Sequence, residues 1–348
     1  MNQPNVALAP MLRERNAARL VSQAEAAASA KPFDVVPQID LAPLLGESAE
    51  AMAATAQQIR HACLEVGFFY VTSHGVDPEL VARTFDAAKT FFELPQEQKE
   101  AISILNSAKM RGYTGLLEEN TDPDNDGDLH EGFDIGLDLA QDDPDAHTDV
   151  YGWGLNQWPD IDGFRELVVG YHTAMRELAT VLYRGFALSL DLDGEYFTPK
   201  FTKPITELRL LRYPSQPVAD DKVLGIGEHS DYDMFTILAT DDVPALEILN
   251  PAGDWIAAPP VEGAFIVNVG DLLERATNDL YRSTVHRAVN RTCQERYSLP
   301  FFTNINPHEI VEVLPSCISN ERPARYEPVG AGEYVEALMR EAYGTTTN

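Results

Sequence analysis

The chain of 348 residues is long enough for one large domain or two, and 44% apolar and 23% charged residues are typical of a globular protein. Asp and Glu number 55 against 26 Lys and Arg, which gives a formal net charge of −29. Such a surface repels nucleic-acid phosphates and anionic lipid, so we expect neither a nucleic-acid nor a membrane partner.

The three cysteines, Cys63, Cys293 and Cys317, are an odd number without CxxC spacing. This pattern argues against a disulfide framework and favours a reducing, cytoplasmic location. No apolar run approaches the roughly 20 residues that a membrane span needs. Residues 1–35 predict an N-terminal helical extension that lacks the apolar core of a secretory signal. We expect a monomer or a small homo-oligomer.

The first half of the chain is rich in predicted helices. Residues 48–66 and 160–190, with "DPELVARTFDAAKTFFEL" and "QEQKEAIS" between them, have the spacing of helices. The segment "GFFYVTSHGV" (67–76) predicts a strand that ends in a turn. Residues 118–149 predict a polar, acidic loop because of their Gly, Pro and Asp content, with a short strand in "EGFDIGL".

From Thr206 onward the apolar pattern changes to short strands separated by turn residues. Eight segments fit this description: "TELRLLRYP", "KVLGIGEHSD", "MFTILAT", "ALEILN", "WIAAPP", "AFIVNVGD", "STVHRAVNR" and "RYSLPFFTNI". Such a succession predicts a sandwich or jelly roll, and the whole chain an α+β fold with a helix-rich N-terminal region. We expect boundaries at 36–200 for that region, 201–306 for the jelly-roll core and 307–348 for a C-terminal tail that packs on it.

One strand-like stretch, "GEHSDYDMFTIL" (227–238), carries His229, Asp231 and Asp233 at alternating positions. In a strand these side chains would point the same way, and buried charges are costly unless they are paired or bound to a metal. Two imidazoles and one carboxylate are the facial ligands of non-haem Fe(II) oxygenases. His286, in "STVHRAVNR", is the best candidate for the third ligand.

Simpler interpretations of these residues remain open at this point. His229 and Asp231 alone could lie on a surface strand, and His286 could be a hydrogen-bonded core histidine. Asp233 could replace Asp231 as the ligand, although we expect it to face solvent or to cap a turn. The combined spacing in consecutive strands favours a metal site.

A second group of polar residues follows on the predicted strand "RYSLPFF". Arg296 and Ser298 would share a strand face, and a guanidinium beside a hydroxyl suits the binding of a carboxylate. Tyr213, in "LLRYP", could add a phenol to this site.

These motifs together resemble the isopenicillin N synthase-like family of Fe(II)/2-oxoglutarate dioxygenases over about residues 36–325. The N-terminal motifs are "GFFYVTSHGV", "FFELPQEQK", "RGYTG", "HEGFDIG" and "NQWP". The C-terminal motifs are "RYP", "HSDYDMFTIL", "GAFIVNVGDLLERATNDLYRSTVHRAV" and "RYSLPFF".

The resemblance implies that His229, Asp231 and His286 bind Fe(II), with no further catalytic side chain required. It also implies that 2-oxoglutarate and O₂ are co-substrates and that a small molecule is hydroxylated or desaturated with release of succinate and CO₂. The distal carboxylate of 2-oxoglutarate would contact three residues: Arg296, Ser298 and Tyr213. Leu211 stands where the plant branch often has Asn.

The resemblance also implies that Arg111 and Tyr113, in "RGYTG", contact the substrate.

Three alternative functions remain beside the dioxygenase interpretation. The first is an oxidase of the isopenicillin N synthase type that uses no 2-oxoglutarate. The second is an ethylene-forming type of enzyme, which "RYP" and the serine of "RYS" disfavour. The third is a non-catalytic jelly-roll metal-binding protein.

Overall fold

The computed structural model describes residues 32–119, 121, 127–216 and 223–342. The helical extension predicted for residues 1–35 therefore lies almost wholly outside the described residues. Within the described part, no helix is long and apolar enough to cross a bilayer.

The α-helices of the described residues are concentrated before the strand-rich half. They are α1 (Ala42–Leu45), α2 (Ala49–Glu65), α3 (Pro78–Phe92), α4 (Gln96–Glu100), α5 (Phe164–Ser189), α6 (Asp271–Ala276) and α7 (Ala331–Ala342).

The strands run through most of the described chain. They are β1 (Gln38–Asp40), β2 (Phe68–Thr72), β3 (Gly112–Thr114), β4 (Glu131–Gly136), β5 (Thr206–Tyr213), β6 (Ile226–His229), β7 (Phe235–Thr240), β8 (Leu246–Leu249), β9 (Trp255–Ala257), β10 (Phe265–Val269), β11 (His286–Ala288), β12 (Arg296–Thr303), β13 (Ile310–Val311) and β14 (Val329–Gly330).

Two sheets form the core of the molecule. The larger has the order β1-β2-β10-β7-β12-β5-β4-β3 and the smaller the order β6-β11-β8-β9. The β1–β2 pair is parallel, and the other pairs of these two sheets are antiparallel. A cavity lined by both sheets lies between them. The predicted α+β fold with a jelly-roll core is confirmed.

The helices begin and end where local chemistry favours it, and they cover the larger sheet. Ser48 and Asp77 accept hydrogen bonds from backbone N–H groups in the first turns of α2 and α3, which stabilises the helix starts. The apolar face of α5 is buried in one core with residues of α2, α3 and the larger sheet. This layer covers one face of the sheet, and the cavity lies against the other face.

The strand predictions from Thr206 onward are confirmed, because each of the eight segments contains one strand, β5 to β12. The helices predicted at 48–66 and 160–190 are α2 and α5. The strand expected in "EGFDIGL" is β4, which is buried along its whole length. Sequence patterns did not indicate the short strands β1 and β3 or the helix α7.

A buried histidine in α5 gives the fold a testable pH dependence. His172 Nε2 lies 3.0 Å from Thr206 Oγ1, and its ring packs edge-on against Phe301. Burial and the nearby Arg176 and Arg111 lower the pKa of His172 to about 3. The folded protein therefore holds this imidazole neutral.

We expect the free energy of unfolding to fall as the pH decreases from about 6.5 toward 3. In this range the His172 imidazole binds a proton in the unfolded chain but stays neutral in the folded protein. The contribution of this group is at most about 1.4 kcal/mol per pH unit. Urea unfolding at pH 7, 6 and 5 should therefore show a steeper decline in the wild type than in His172→Gln. A difference between the two proteins that is the same at each pH would contradict this expectation.

Candidate metal centre and co-substrate site

Two histidines and one aspartate converge at one end of the smaller sheet. His229 ends β6 and His286 begins β11, and the two are direct partners in the strand register. Their ring centroids lie 4.2 Å apart. Oδ1 of Asp231 lies 3.6 Å from Nε2 of each histidine. One donor atom from each of the three residues lies within 4.8 Å of the others, close enough to share a metal ion.

Backbone carbonyls orient both imidazoles toward that point. His229 Nδ1 lies 2.8 Å from the Gly227 carbonyl oxygen, and His286 Nδ1 lies 3.1 Å from the Thr284 carbonyl oxygen. A carbonyl can only accept, so Nδ1 of each ring carries the proton and donates it. The Nε2 atoms are then left with free lone pairs, the form in which imidazole binds a metal.

The two carboxylate oxygens of Asp231 likewise have different roles. Thr236 Oγ1 and Asn268 Nδ2 both donate hydrogen bonds to its Oδ2, the second at 2.7 Å. Oδ1 is the oxygen that faces the two histidines. The hydrogen bonds therefore fix the orientation of the carboxylate and leave one oxygen for a cation.

The segment "NVGD" (268–271) contributes more to this centre than the shape of a turn. Asn268 contacts Asp231 directly, and the Asp271 amide donates to the Asp231 carbonyl oxygen at 2.8 Å. A Cβ atom at Gly270 would lie 2.1 Å from the Asp233 carbonyl oxygen, so only glycine allows this approach. The segment therefore holds both the side chain and the backbone of Asp231 in place.

The electrostatic environment keeps His286 and Asp231 in the protonation states that bind a metal ion. Burial and the neighbouring His229 lower the pKa of His286 to about 4, so the ring is neutral at pH 7. Burial alone would raise the pKa of Asp231, but His286 and His229 and the hydrogen bonds from Asn268 and Thr236 hold it below its usual value. A neutral imidazole and an ionised carboxylate are the forms that bind a divalent cation.

The alternation expected along 229–233 is wrong, because β6 ends at His229. Asp231 reaches the histidines from the turn that follows the strand. Asp233 was expected to face solvent or to cap a turn, but it is only 9% exposed and accepts a hydrogen bond from Asn304 Nδ2 at 3.3 Å. It is not one of the three converging residues.

A candidate anion site lies on the adjoining strands β12 and β5. Arg296 and Tyr213 are register partners, and the guanidinium carbon lies 4.6 Å from the centre of the Tyr213 ring. Ser298 Oγ donates to the Tyr213 hydroxyl at 3.3 Å and lies 3.5 Å from Arg296 Nη1. Arg296, Ser298 and Tyr213 are all buried.

The buried guanidinium of Arg296 interacts electrostatically with Asp241 but forms no direct ion pair with a described carboxylate, and its Nε atom has no hydrogen-bond partner among the described residues. A buried charge without a counter-ion is unfavourable, so the pocket is suited to an anionic group from outside the chain. A planar guanidinium beside two hydroxyls fits a carboxylate.

Two family models match the chain. The model described as non-haem dioxygenase in morphine synthesis N-terminal matches residues 36–161, and that of the 2OG-Fe(II) oxygenase superfamily matches residues 205–305. The chain is also 38% identical over 319 residues to the 2-oxoglutarate-Fe(II) type oxidoreductase hxnY of Emericella nidulans, covering 88% of this chain and 90% of that one.

The chain belongs to the 2-oxoglutarate-Fe(II) oxygenase family. Among solved structures, the oxygenase resembles a full-length Neurospora crassa protein in complex with alpha-KG, with a TM-score of 0.77, 29% identity and coverage of 88% of this chain and 96% of that one. It also resembles JOX2 in complex with 2OG, Fe and JA, with a TM-score of 0.71, 29% identity and coverage of 86% and 84%. It is an Fe(II)/2-oxoglutarate-dependent dioxygenase that acts on small molecules.

The cavity of the oxygenase, about 140 Å³ in volume, joins the metal centre to the anion site. An engineered cavity of similar size in another protein holds a benzene molecule, so this one has room for a small organic group. Its wall includes apolar side chains from both sheets and from α7: Phe68, Ile226, Leu238, Phe302, Val335 and Met339. These side chains give the cavity an apolar surface beside its polar groups.

Sequence reasoning missed charged residues in the wall of the oxygenase cavity. Glu207, Arg209, Leu211 and Tyr213 alternate along β5, and all four line the cavity. The signal was present, since a buried strand with charged residues at every second position is unusual. Leu211 thus faces the cavity at the position noted for its departure from the plant branch.

The structure places the two predicted substrate contacts behind the wall of the oxygenase cavity. Arg111 Nη1 pairs with Glu207 Oε2 at 2.7 Å, and the Tyr113 hydroxyl donates to Glu131 Oε2 at 2.8 Å. Neither residue is among the described residues that line the cavity. Arg111 reaches the cavity only through its ion pair with Glu207, and a substrate role for either side chain stays a prediction.

Proposed function

We propose that His229, Asp231 and His286 bind the Fe(II) of this dioxygenase. The proposal rests on how the ligand atoms are used. Both histidine Nδ1 atoms and the Asp231 Oδ2 atom form hydrogen bonds within the protein, whereas the two Nε2 atoms and Oδ1 face one another and are available to a metal ion. Two imidazoles and one carboxylate are the ligand set expected for non-haem Fe(II).

We propose further that Arg296, Ser298 and Tyr213 bind the distal carboxylate of 2-oxoglutarate. The unpartnered Nε of a buried guanidinium supports this role, as does the shared cavity that links it to the three converging residues. When bound, the metal and 2-oxoglutarate supply O₂ activation and release succinate and CO₂. The chain itself orients both groups, holds the substrate C–H bond beside them and excludes water. The outcome is a hydroxylation or a desaturation.

The remaining parts of the proposal concern the setting of the enzyme. Three free cysteines support a reducing cytoplasm, and the net charge of −29 supports the absence of a nucleic-acid partner. We retain a monomer or small homo-oligomer. We also retain the division into an N-terminal region (36–200), a jelly-roll core (201–306) and a C-terminal tail that packs on the core (307–348).

An anaerobic Fe(II) titration with and without 2-oxoglutarate tests the proposed function. We expect stoichiometric binding of Fe(II), and a weak visible charge-transfer band that grows only when 2-oxoglutarate is present. Substrate-free protein with Fe(II) and succinate is the control, because succinate lacks the keto oxygen. Tight iron without any band would favour an oxidase that does not use 2-oxoglutarate, and absence of iron binding would favour a non-catalytic protein.

A further inference from the structure

Beyond the metal centre and the anion site, the cavity contains a third polar group, which we call the acidic end. It comprises Asp233, from the turn after β6, Glu207 of β5 and Tyr151. The carboxylate of Glu207 interacts electrostatically with the Tyr151 hydroxyl. Neither the proposed iron ligands nor the proposed 2-oxoglutarate site uses the side chains of the acidic end.

The acidic end has unused hydrogen-bond acceptors. One oxygen of Asp233 accepts a hydrogen bond from Asn304, and the other has no partner among the described residues, although the side chain is nine-tenths buried. Glu207 uses Oε2 for its ion pair with Arg111, and its Oε1 accepts no hydrogen bond from the described residues. Tyr151 also lines the cavity at this point.

The charges of the cavity wall leave Asp233 without a counter-ion. Arg209 pairs with Glu119 and Asp134, and Arg287 pairs with Glu247. Arg296 is the residue that we propose binds the carboxylate of 2-oxoglutarate. Asp233 forms no ion pair with any described residue, which is unfavourable for a carboxylate that is nine-tenths buried.

We propose that the substrate carries a positively charged nitrogen, a protonated amine or amidine, which binds between Asp233 and Glu207 with the Tyr151 hydroxyl beside it. This inference rests on the proposed function and specifies the substrate class of the same site. A cationic nitrogen with two or three N–H groups supplies both the counter-ion that Asp233 lacks and donors for the free oxygens.

The position of Asp233 also limits the distance between this nitrogen and the oxidised carbon. Asp233 is two residues from Asp231, so their Cα atoms lie at most about 7 Å apart. The acidic end therefore lies near the metal centre, and we expect the oxidised C–H bond to lie near the charged nitrogen of the substrate.

Matched probes test the proposal on the anaerobic protein loaded with Fe(II) and 2-oxoglutarate. The probes are benzylamine against benzyl alcohol, and butylamine against butanol, which differ in charge at pH 7 but little in shape. Their affinities are read from the perturbation of the visible band and, independently, from equilibrium dialysis. We expect at least one amine to bind ten or more times as tightly as its alcohol. If neither amine exceeds its alcohol, the proposal is wrong.

Variants assign the preference to the acidic end. Asp233→Asn should reduce the amine-to-alcohol ratio to threefold or less, and should leave the alcohol affinity unchanged, because it removes the charge and keeps the shape. Asp233→Ser provides a second uncharged variant in case the first folds poorly. The exposed Asp162→Asn is the control and should retain the wild-type ratio. An amine preference that persists in both Asp233 variants would mean that a group other than Asp233, such as the metal, binds the amine, and would overturn the proposal.

The visible charge-transfer band shows whether a negative result refutes the cationic substrate or the proposed function itself. Loss of the band in the wild type would refute the proposed iron and 2-oxoglutarate sites themselves. A normal band with equal binding of amines and alcohols would refute only the cationic substrate.

Discussion

Asp231→Ala is expected to lose all turnover and to bind Fe(II) more than about a hundredfold more weakly than the wild type. The carboxylate is the only anionic member of the converging set, and Thr236 and Asn268 hold it in place. Loss of a residue that merely orients a ligand typically costs about 10- to 100-fold in metal affinity, so loss of the ligand itself should cost more. Anaerobic Fe(II) titration with a competing chelator measures the effect.

Two matched variants distinguish the ligand from its surroundings. Asp233→Asn removes a buried carboxylate two residues away and should keep stoichiometric iron, because Asp233 does not converge with the histidines. Asn268→Ala should give an intermediate loss, since it removes one of the two hydrogen bonds to Oδ2. Tight iron in Asp231→Ala together with lost iron in Asp233→Asn would show that the ligand was assigned to the wrong carboxylate.

Arg296→Leu is expected to weaken the binding of 2-oxoglutarate about 10- to 100-fold and to leave Fe(II) binding unchanged. The loss corresponds to about 1.5–3 kcal/mol for a charge-assisted hydrogen-bonded contact. Because the guanidinium forms no direct ion pair with a described carboxylate, its removal breaks no salt bridge. The folded protein should therefore tolerate the change, and the visible band can be titrated with 2-oxoglutarate in both proteins.

Arg296→Lys serves as the matched control because it keeps the charge. A lysine ammonium cannot reproduce two parallel N–H contacts, so we expect only partial recovery of the 2-oxoglutarate affinity. If turnover by Arg296→Leu depends on 2-oxoglutarate as it does in the wild type, the anion site has another ligand and the assignment fails.

The sequence predicted the parts of this molecule that depend on local pattern. Strands β5 to β12 could be located because apolar runs and turn residues are encoded within ten residues of each other. The convergence of His229 with His286 could be expected only from the ligand chemistry, because strand register between distant segments is not encoded locally. The reasoning from alternation failed at Asp231, where a turn rather than a strand positions the carboxylate.

The acidic end shows a different limit of sequence analysis. Asp233 has the same local context as a surface aspartate, and its hydrogen-bond partner Asn304 lies 71 positions away. Glu207 and Arg209 were more accessible to prediction, since charged residues on a buried strand indicate a polar cavity or a paired network. Their partners, Arg111 and Glu119, come from the N-terminal region, and no periodic pattern relates them.

In this enzyme, helix α7 lines the substrate cavity but contributes no residue to the metal centre or the anion site. Val335 and Met339 of this helix form part of the cavity wall, whereas the converging residues and the anion site lie on strands of the two sheets or next to them. The helix comes after the last strand of the core, so its side chains can change without altering any strand register. Selection can therefore reshape the substrate pocket in a segment on which oxygen chemistry does not depend, and a new substrate range can evolve without first losing activity.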